Sequence, residues 1–205
     1  MRVSADTKAA TRQTILKAAR RLFAENGYES TRTRDIAQMA GIASGTLFNY
    51  FQTKEAIVAA LACEAIGDAH ADPETQHRKG ATFQEDLFAL VASGLRKLKP
   101  LRKHLPALLE TSLSPLASTP HDEASSLRVA HLEAVAALAA RHGFAELSAT
   151  NLQLYWTLYT GVLVFWANDR SPRQEDTLAL IDDSVNMFVG WMRRTVPIEP
   201  PPAHR

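Results

Sequence analysis

A single cysteine in 205 residues, Cys63, leaves no partner for an intrachain disulfide and is compatible with a reducing compartment. Its neighbours Ala62, Ala65 and Ile66 make it a small core residue rather than a reactive thiol. Long apolar runs are missing too. The longest, around 152–167, contains Gln153, Thr157 and Thr160 and is too short and too polar for a membrane span. The opening residues MRVSADTKAATRQ carry no apolar stretch of the kind that directs secretion, so a cytoplasmic protein without a membrane partner is expected. Catalytic signatures are absent: there is no HExxH, GxSxG, GxGxxG or phosphate-binding glycine loop, and the lone cysteine has no evident base. Neither an enzyme nor a cofactor is expected. The seven histidines are scattered, and His121 with His131, or His70 with His77, lack the i,i+4 spacing and companion ligands of a metal site. A net charge of only +1 argues against a generic polyanion binder.

Alternating β-branched runs are also lacking, and the ten prolines fall mostly at the ends of helical patterns. The chain therefore reads as all-α, with about nine helices. A first helix over about 11–26 places Ile15, Ala18, Ala19, Leu22 and Phe23 on one face and Gly27 just past its end. Two short helices follow, and Thr53 caps a fourth that runs to about 71 with Glu55 in its first turn. Further helices are expected at about 82–98, 101–113, 121–142, 148–168 and 172–194, the last with Pro172 at its first position. The tail from Pro197 to Pro202 cannot continue a helix and is expected to be disordered.

The stretch 31–55, TRTRDIAQMAGIASGTLFNYFQTKE, is the most informative in the chain. Thr33 is a candidate N-cap for a helix that sets Ile36, Ala37 and Ala40 on one face, and Gly41 supplies a left-handed stop. Ile42 plugs the turn, and a second helix opens at Ala43-Ser44-Gly45. Leu47 and Phe51, four apart, face back into the core. Ser44, Gly45, Thr46, Phe48, Asn49 and Tyr50 are left pointing outward, a small, polar and aromatic set with no acid to repel phosphate. The surrounding charge agrees: residues 1–55 hold about nine Lys/Arg against about five Asp/Glu, on a slightly acidic remainder. A helix–glycine turn–helix alone is a weak sign, common in helical proteins. The preceding amphipathic helix ending in Asn26-Gly27-Tyr28 adds the third helix such DNA-binding units need.

At this density the match becomes specific. Ile15-Leu16-Ala18-Ala19, Leu22-Phe23-Ala24-Glu25-Asn26-Gly27-Tyr28, Thr31, Asp35-Ile36-Ala37, Ala40-Gly41-Ile42, Gly45-Thr46-Leu47, Tyr50-Phe51 and Thr53-Lys54-Glu55 resemble the DNA-binding domain of the TetR family of bacterial transcriptional regulators. The resemblance covers 11–65, about a quarter of the chain. It implies that Arg32, Thr33 and Arg34 contact the DNA backbone and sometimes a base. Ser44, Gly45 and Thr46 would form the front of the recognition helix, and Asn49 would read a base edge or bond a phosphate. Tyr50 and Lys54 would anchor phosphates. Position 48 departs from the pattern: Phe48 stands where Tyr is common, keeping an apolar contact but giving up a hydroxyl bond worth roughly 1 kcal/mol.

The implied organisation is a helix-turn-helix domain over 1–55, with its motif at about 32–51 and helix four continuing as a link to about 71. An effector-binding and dimerisation domain would occupy 72–196, and a tail 197–205. The implied function is that of a homodimeric repressor bound to a palindromic operator and released by a small-molecule effector, apolar or aromatic in character. An activator on the same fold, or a small-molecule carrier or enzyme with a vestigial helix-turn-helix, is the alternative. Candidate pocket residues are Phe83, Leu87, Leu105, Leu109, Leu113, Trp156 and Tyr159. The basic cluster Lys97, Lys99, Arg102, Lys103 and His104 reads more readily as a solvated face than as an anion site. The last two helices are apolar on more than one stripe, which calls for a second partner surface. Phe165, Trp166, Ile181, Val185, Phe188 and Met192 are the expected dimer contacts.

Overall fold

The computed structural model describes residues 5–75, 79–104 and 123–197. Among these residues lie eight α-helices and no strand. They are α1 (Ala5–Asn26), α2 (Thr33–Met39), α3 (Ser44–Phe48), α4 (Lys54–His70), α5 (Phe83–Leu98), α6 (Glu123–Arg141), α7 (Ala149–Asn168) and α8 (Glu175–Thr195). Of the helix expected over 101–113, only a 3-10 segment, Lys99–His104, is described. Leu105, Leu109 and Leu113, the break at 114–120 and the tail beyond Pro197 lie outside the described residues. No helix among the described residues is long and apolar enough to cross a membrane.

The chain divides into two compact units, Met1–Glu64 and Ala65–Arg205, so the boundary falls inside α4. In the first unit α1 packs on α2 and α2 on α3. Ile15, Leu16, Leu22 and Phe23 of α1, Ile36 and Ala37 of α2, and Leu47 of α3 are buried, as are Phe51 and Ile57. Glu64 accepts bonds from Gln13 (2.9 Å) and Arg20 (2.8 Å), tying α4 to α1. Gly27 (φ +80°) and Gly41 (φ +69°) take the left-handed conformation that ends α1 and turns the chain between α2 and α3. α1 begins six residues earlier than its apolar pattern indicates. Residues 5–10 are all exposed, so good helix formers extend the helix without leaving a buried stripe to read. The cap of α2 also differs from expectation. Arg32 is the extended N-cap residue, and its N–H donates to Asp35 Oδ2 at 3.0 Å, whereas Thr33 is already helical.

In the second unit, α5 and α7 both pack on α8, and α6 packs on α5 and α7. Capping boxes fix two starts: Thr82 with Glu85 at α5, and Ser148 with Asn151 at α7. Arg102 Nε donates to the Trp166 carbonyl at 2.8 Å, and its guanidinium also reaches the Asp169 carbonyl, capping the end of α7. The last helix does not start at Pro172. Pro172–Gln174 is a 3-10 turn, Arg173 and Gln174 have positive φ (52° and 62°), and Gln174 accepts the Trp166 indole N–H at 3.1 Å.

Five of the six expected dimer residues belong to the protomer's own core. Trp166, Ile181, Val185, Phe188 and Met192 are each no more than 5% exposed, while Phe165 is 42% exposed. The periodicity identified two apolar stripes on α7 and α8 correctly but gave no means of telling which one the protomer itself covers. The outward apolar residues are Val164 and Phe165 on α7 and Leu178 and Met187 on α8.

Candidate functional site

α3 is only five residues long and is held by its underside: Leu47 is fully buried and Phe51, just beyond it, is 2% exposed. Its outer side carries Ser44, Gly45 and Phe48, all exposed, with Thr46 half-buried. Asn49 is the exposed C-cap residue, and Tyr50 follows half-buried, its N–H on the Leu47 carbonyl at 2.9 Å. At 47% exposure Phe48 is one of the few large apolar side chains the first unit leaves in solvent. Arg32 and Arg34 project from the start of α2, also exposed, with Arg34 in a loose 3.6 Å contact to Asp35. The residues proposed from sequence for groove and phosphate contact thus share one unit, which exposes two guanidiniums at the start of α2 and a polar–aromatic set on α3. That is a surface suited to base edges flanked by phosphates.

Lys54 is placed differently. Its ammonium is turned inward, 2.8 Å from the Tyr28 carbonyl, 3.2 Å from the Thr31 carbonyl and 3.8 Å from the centroid of the Tyr28 ring. The Tyr28 hydroxyl donates to Glu55 Oε1 at 2.7 Å. That bond holds the Glu55 carboxyl below its ordinary range, and burial, reinforced by Glu55, raises Tyr28. Sequence reasoning missed this network because the carbonyls that organise it belong to the backbone.

The pocket candidates are only partly brought together. Leu87 and Tyr159 line one cavity with Tyr155, Val162, Ile181 and Phe188, but its volume is ≈ 20 Å³, room for about one water. Trp156 abuts Tyr159, with ring centroids 5.7 Å apart. Phe83 instead stacks against Phe144 (5.1 Å) and His142 (5.6 Å). Within this apolar interior runs an unforeseen polar chain. His70 Nε2 lies 3.0 Å from His131 Nδ1, and His131 Nε2 lies 2.9 Å from the Tyr155 hydroxyl. Tyr159 stacks on the His131 ring at 4.2 Å. One signal was available in sequence: His131 falls on the same helical stripe as Val135 and Leu138, both buried.

Burial, with the nearby His70 adding to it, lowers His131 to about 3, and burial lowers His70 as well. The unfolded chain takes up these protons near pH 6.5, and the folded one resists. Stability is therefore complete above about pH 6.5 and is lost progressively as pH falls toward the folded value. The melting temperature is expected to drop between pH 6.5 and 4, and to drop less over that interval in a His131→Asn variant. Equal slopes in a pH series of thermal melts would contradict this.

A three-helix unit presenting this surface defines a helix-turn-helix DNA-binding protein. Residues 15–61 match the description "Bacterial regulatory proteins, tetR family", and residues 111–200 match "Tetracyclin repressor-like, C-terminal domain". The chain is 31% identical over 194 residues to the HTH-type transcriptional repressor KstR2 of Rhodococcus jostii (strain RHA1), covering 91% of this chain and 81% of that one. Its fold is similar to that of a TetR transcriptional regulator from Rhodococcus sp. RHA1 (TM-score 0.69, 23% identity, 88% of this chain and 96% of that one). It is also similar to Thermus thermophilus FadR, a TetR-family repressor solved in complex with lauroyl-CoA (TM-score 0.70, 19% identity, 95% and 99%). The chain belongs to the tetR family of bacterial regulatory proteins. Its function is that of a DNA-binding transcriptional repressor.

Proposed function

We propose that the chain acts as a homodimer that grips a two-fold symmetric operator through Arg32, Thr33, Arg34, Ser44, Gly45, Thr46, Phe48, Asn49 and Tyr50. The observation that carries this is the exposed ridge of α3, mounted rigidly on buried Leu47 and Phe51. DNA binding belongs to residues 1–55 with α4 as the continuing link, and effector binding and dimerisation to 72–196. The dimer face is the outward side of α7 and α8. Leu154, Leu158, Met187 and Trp191 there line a groove of ≈ 400 Å³ in continuity with the exposed stripe. On the side of α8 that carries Met187, Asp183 stands near the middle of the helix and Arg194, which lines this groove, in its last turn, so an antiparallel mate can set opposite charges together.

The effector is proposed to be a long-chain acyl thioester. Two things support this class: the apolar interior around Leu87, Val162 and Phe188, and the lauroyl-CoA found in a protein of the same fold. Its binding would enlarge the small cavity and bias α4, whose last residue His70 is tied to His131. Lauroyl-CoA at micromolar concentration is expected to weaken binding to a duplex selected by this protein from a random library, and coenzyme A alone to leave it unchanged. Fluorescence anisotropy reads both. An identical isotherm with and without lauroyl-CoA would refute the effector class.

A further inference from the structure

The connection between α1 and α2 is gripped by two consecutive residues of α4. Lys54 holds the Tyr28 and Thr31 carbonyls, and Glu55 holds the Tyr28 hydroxyl, so one turn residue is fixed at its backbone and at the far end of its side chain. Thr31 adds to the clamp: it is 1% exposed, and its hydroxyl donates to the Gly27 carbonyl at 2.7 Å and approaches the Leu22 carbonyl at 3.3 Å. Tyr28 packs its ring on Phe23, with centroids 5.4 Å apart. Immediately after Thr31 come Arg32, the N-cap residue of α2, and then the rest of the DNA-facing segment. A lysine ammonium has three donors and no acceptor. Two of them meet carbonyls here, and the face of the Tyr28 ring takes up the remaining side.

We infer that Lys54 serves DNA recognition as a positioning residue, locking the start of α2 against α4 together with Tyr28 and Glu55, and not as a contact to a phosphate. This rests on the reading of α2 and α3 as the DNA-facing elements. The two roles leave different marks. A lost phosphate contact weakens operator and unrelated DNA alike, and reduces the slope of log K against log salt by about 0.9 per contact. A lost positioning contact lowers affinity only where the geometry of base edges matters, and leaves the slope unchanged.

The test uses the full-length protein, a duplex selected by the wild type from a random library, and a scrambled duplex of equal length. Lys54→Met keeps the aliphatic stem and removes the charge. It is expected to bind the selected duplex about tenfold more weakly, as for loss of one or two charge-assisted hydrogen bonds, along a salt line parallel to that of the wild type. Binding to the scrambled duplex is expected to stay within about twofold, which a merely unfolding variant would not achieve. A shallower slope with both duplexes weakened together, or no loss at all, overturns the inference. Should Lys54→Met fail to fold, Tyr28→Phe decides, because it removes one hydroxyl and no charge. Its ratio of selected to scrambled affinity is expected to fall by about threefold, and an unchanged ratio overturns the inference. Failure of the wild type to select any duplex would instead defeat the reading of the DNA-facing elements.

Discussion

Phe48→Glu is expected to abolish operator binding while leaving the fold intact, with a loss of about 10³ in affinity for a duplex the wild type selects. The side chain is 47% exposed and supports nothing in the core, because α3 hangs on Leu47 and Phe51. Circular dichroism and melting temperature should therefore hardly change. In the complex the substitution removes an apolar contact and places a carboxylate among phosphates, for about 2 kcal/mol per half-site. The proposed two-fold symmetric dimer would carry the change twice, giving about 4 kcal/mol and hence the factor of about 10³. Phe48→Tyr reads the same position in the other direction. A hydroxyl there can meet a phosphate, and tighter binding by severalfold is expected from a bond worth about 1 kcal/mol. Anisotropy titrations at one fixed salt concentration check both, since affinities at different salt are not comparable. Wild-type affinity in Phe48→Glu would remove α3 from the interface.

What was legible in the sequence followed from local rules. Gly27 and Gly41 announce left-handed stops, and both adopt them; Thr53 announces a cap, and its hydroxyl accepts the Ala56 N–H at 3.1 Å. Leu47 and Phe51 fall on the inner side of α3 because side chains four apart share a helical face. What was not legible depends on partners distant in sequence or on the backbone. Nothing in residues 54 and 55 says that they close on Tyr28, 26 and 27 positions earlier. His70 and His131, 61 positions apart, read as scattered until α4 and α6 bring them together. The faces of α7 and α8 are not separable in the sequence for a related reason. Each helix has an apolar stripe for its own protomer and apolar residues outside it, and composition does not separate the two. Val185 and Met187, only two positions apart, end up 5% and 67% exposed.

That assignment leads to the second large effect. The double variant Phe165→Glu, Met187→Glu is expected to sediment as a folded monomer at micromolar protein, where the wild type is expected to sediment as the proposed dimer. Both residues are exposed on the protomer, at 42% and 67%, so charge there costs the isolated subunit little. In an isologous interface each carboxylate occurs twice, and four are placed in a seam otherwise lined by Leu154, Leu158 and Trp191. Burying even one unpaired polar group of this kind costs about 1–3 kcal/mol, so the set shifts the dissociation constant by several orders of magnitude. Operator binding should fall with it, because a monomer reaches only one half-site. Phe188→Ala, one residue from Met187 but 1% exposed, separates this face from the one its neighbours would suggest. It is expected to lower the stability of the subunit by about 3–5 kcal/mol through the cavity it leaves, rather than to yield a stable monomer. A double variant that remains dimeric by sedimentation would return the interface to another surface. The same experiment on Asp183→Arg tests orientation: if two α8 helices run antiparallel across the two-fold axis, this change places it near the like charge of Arg194 and weakens the dimer.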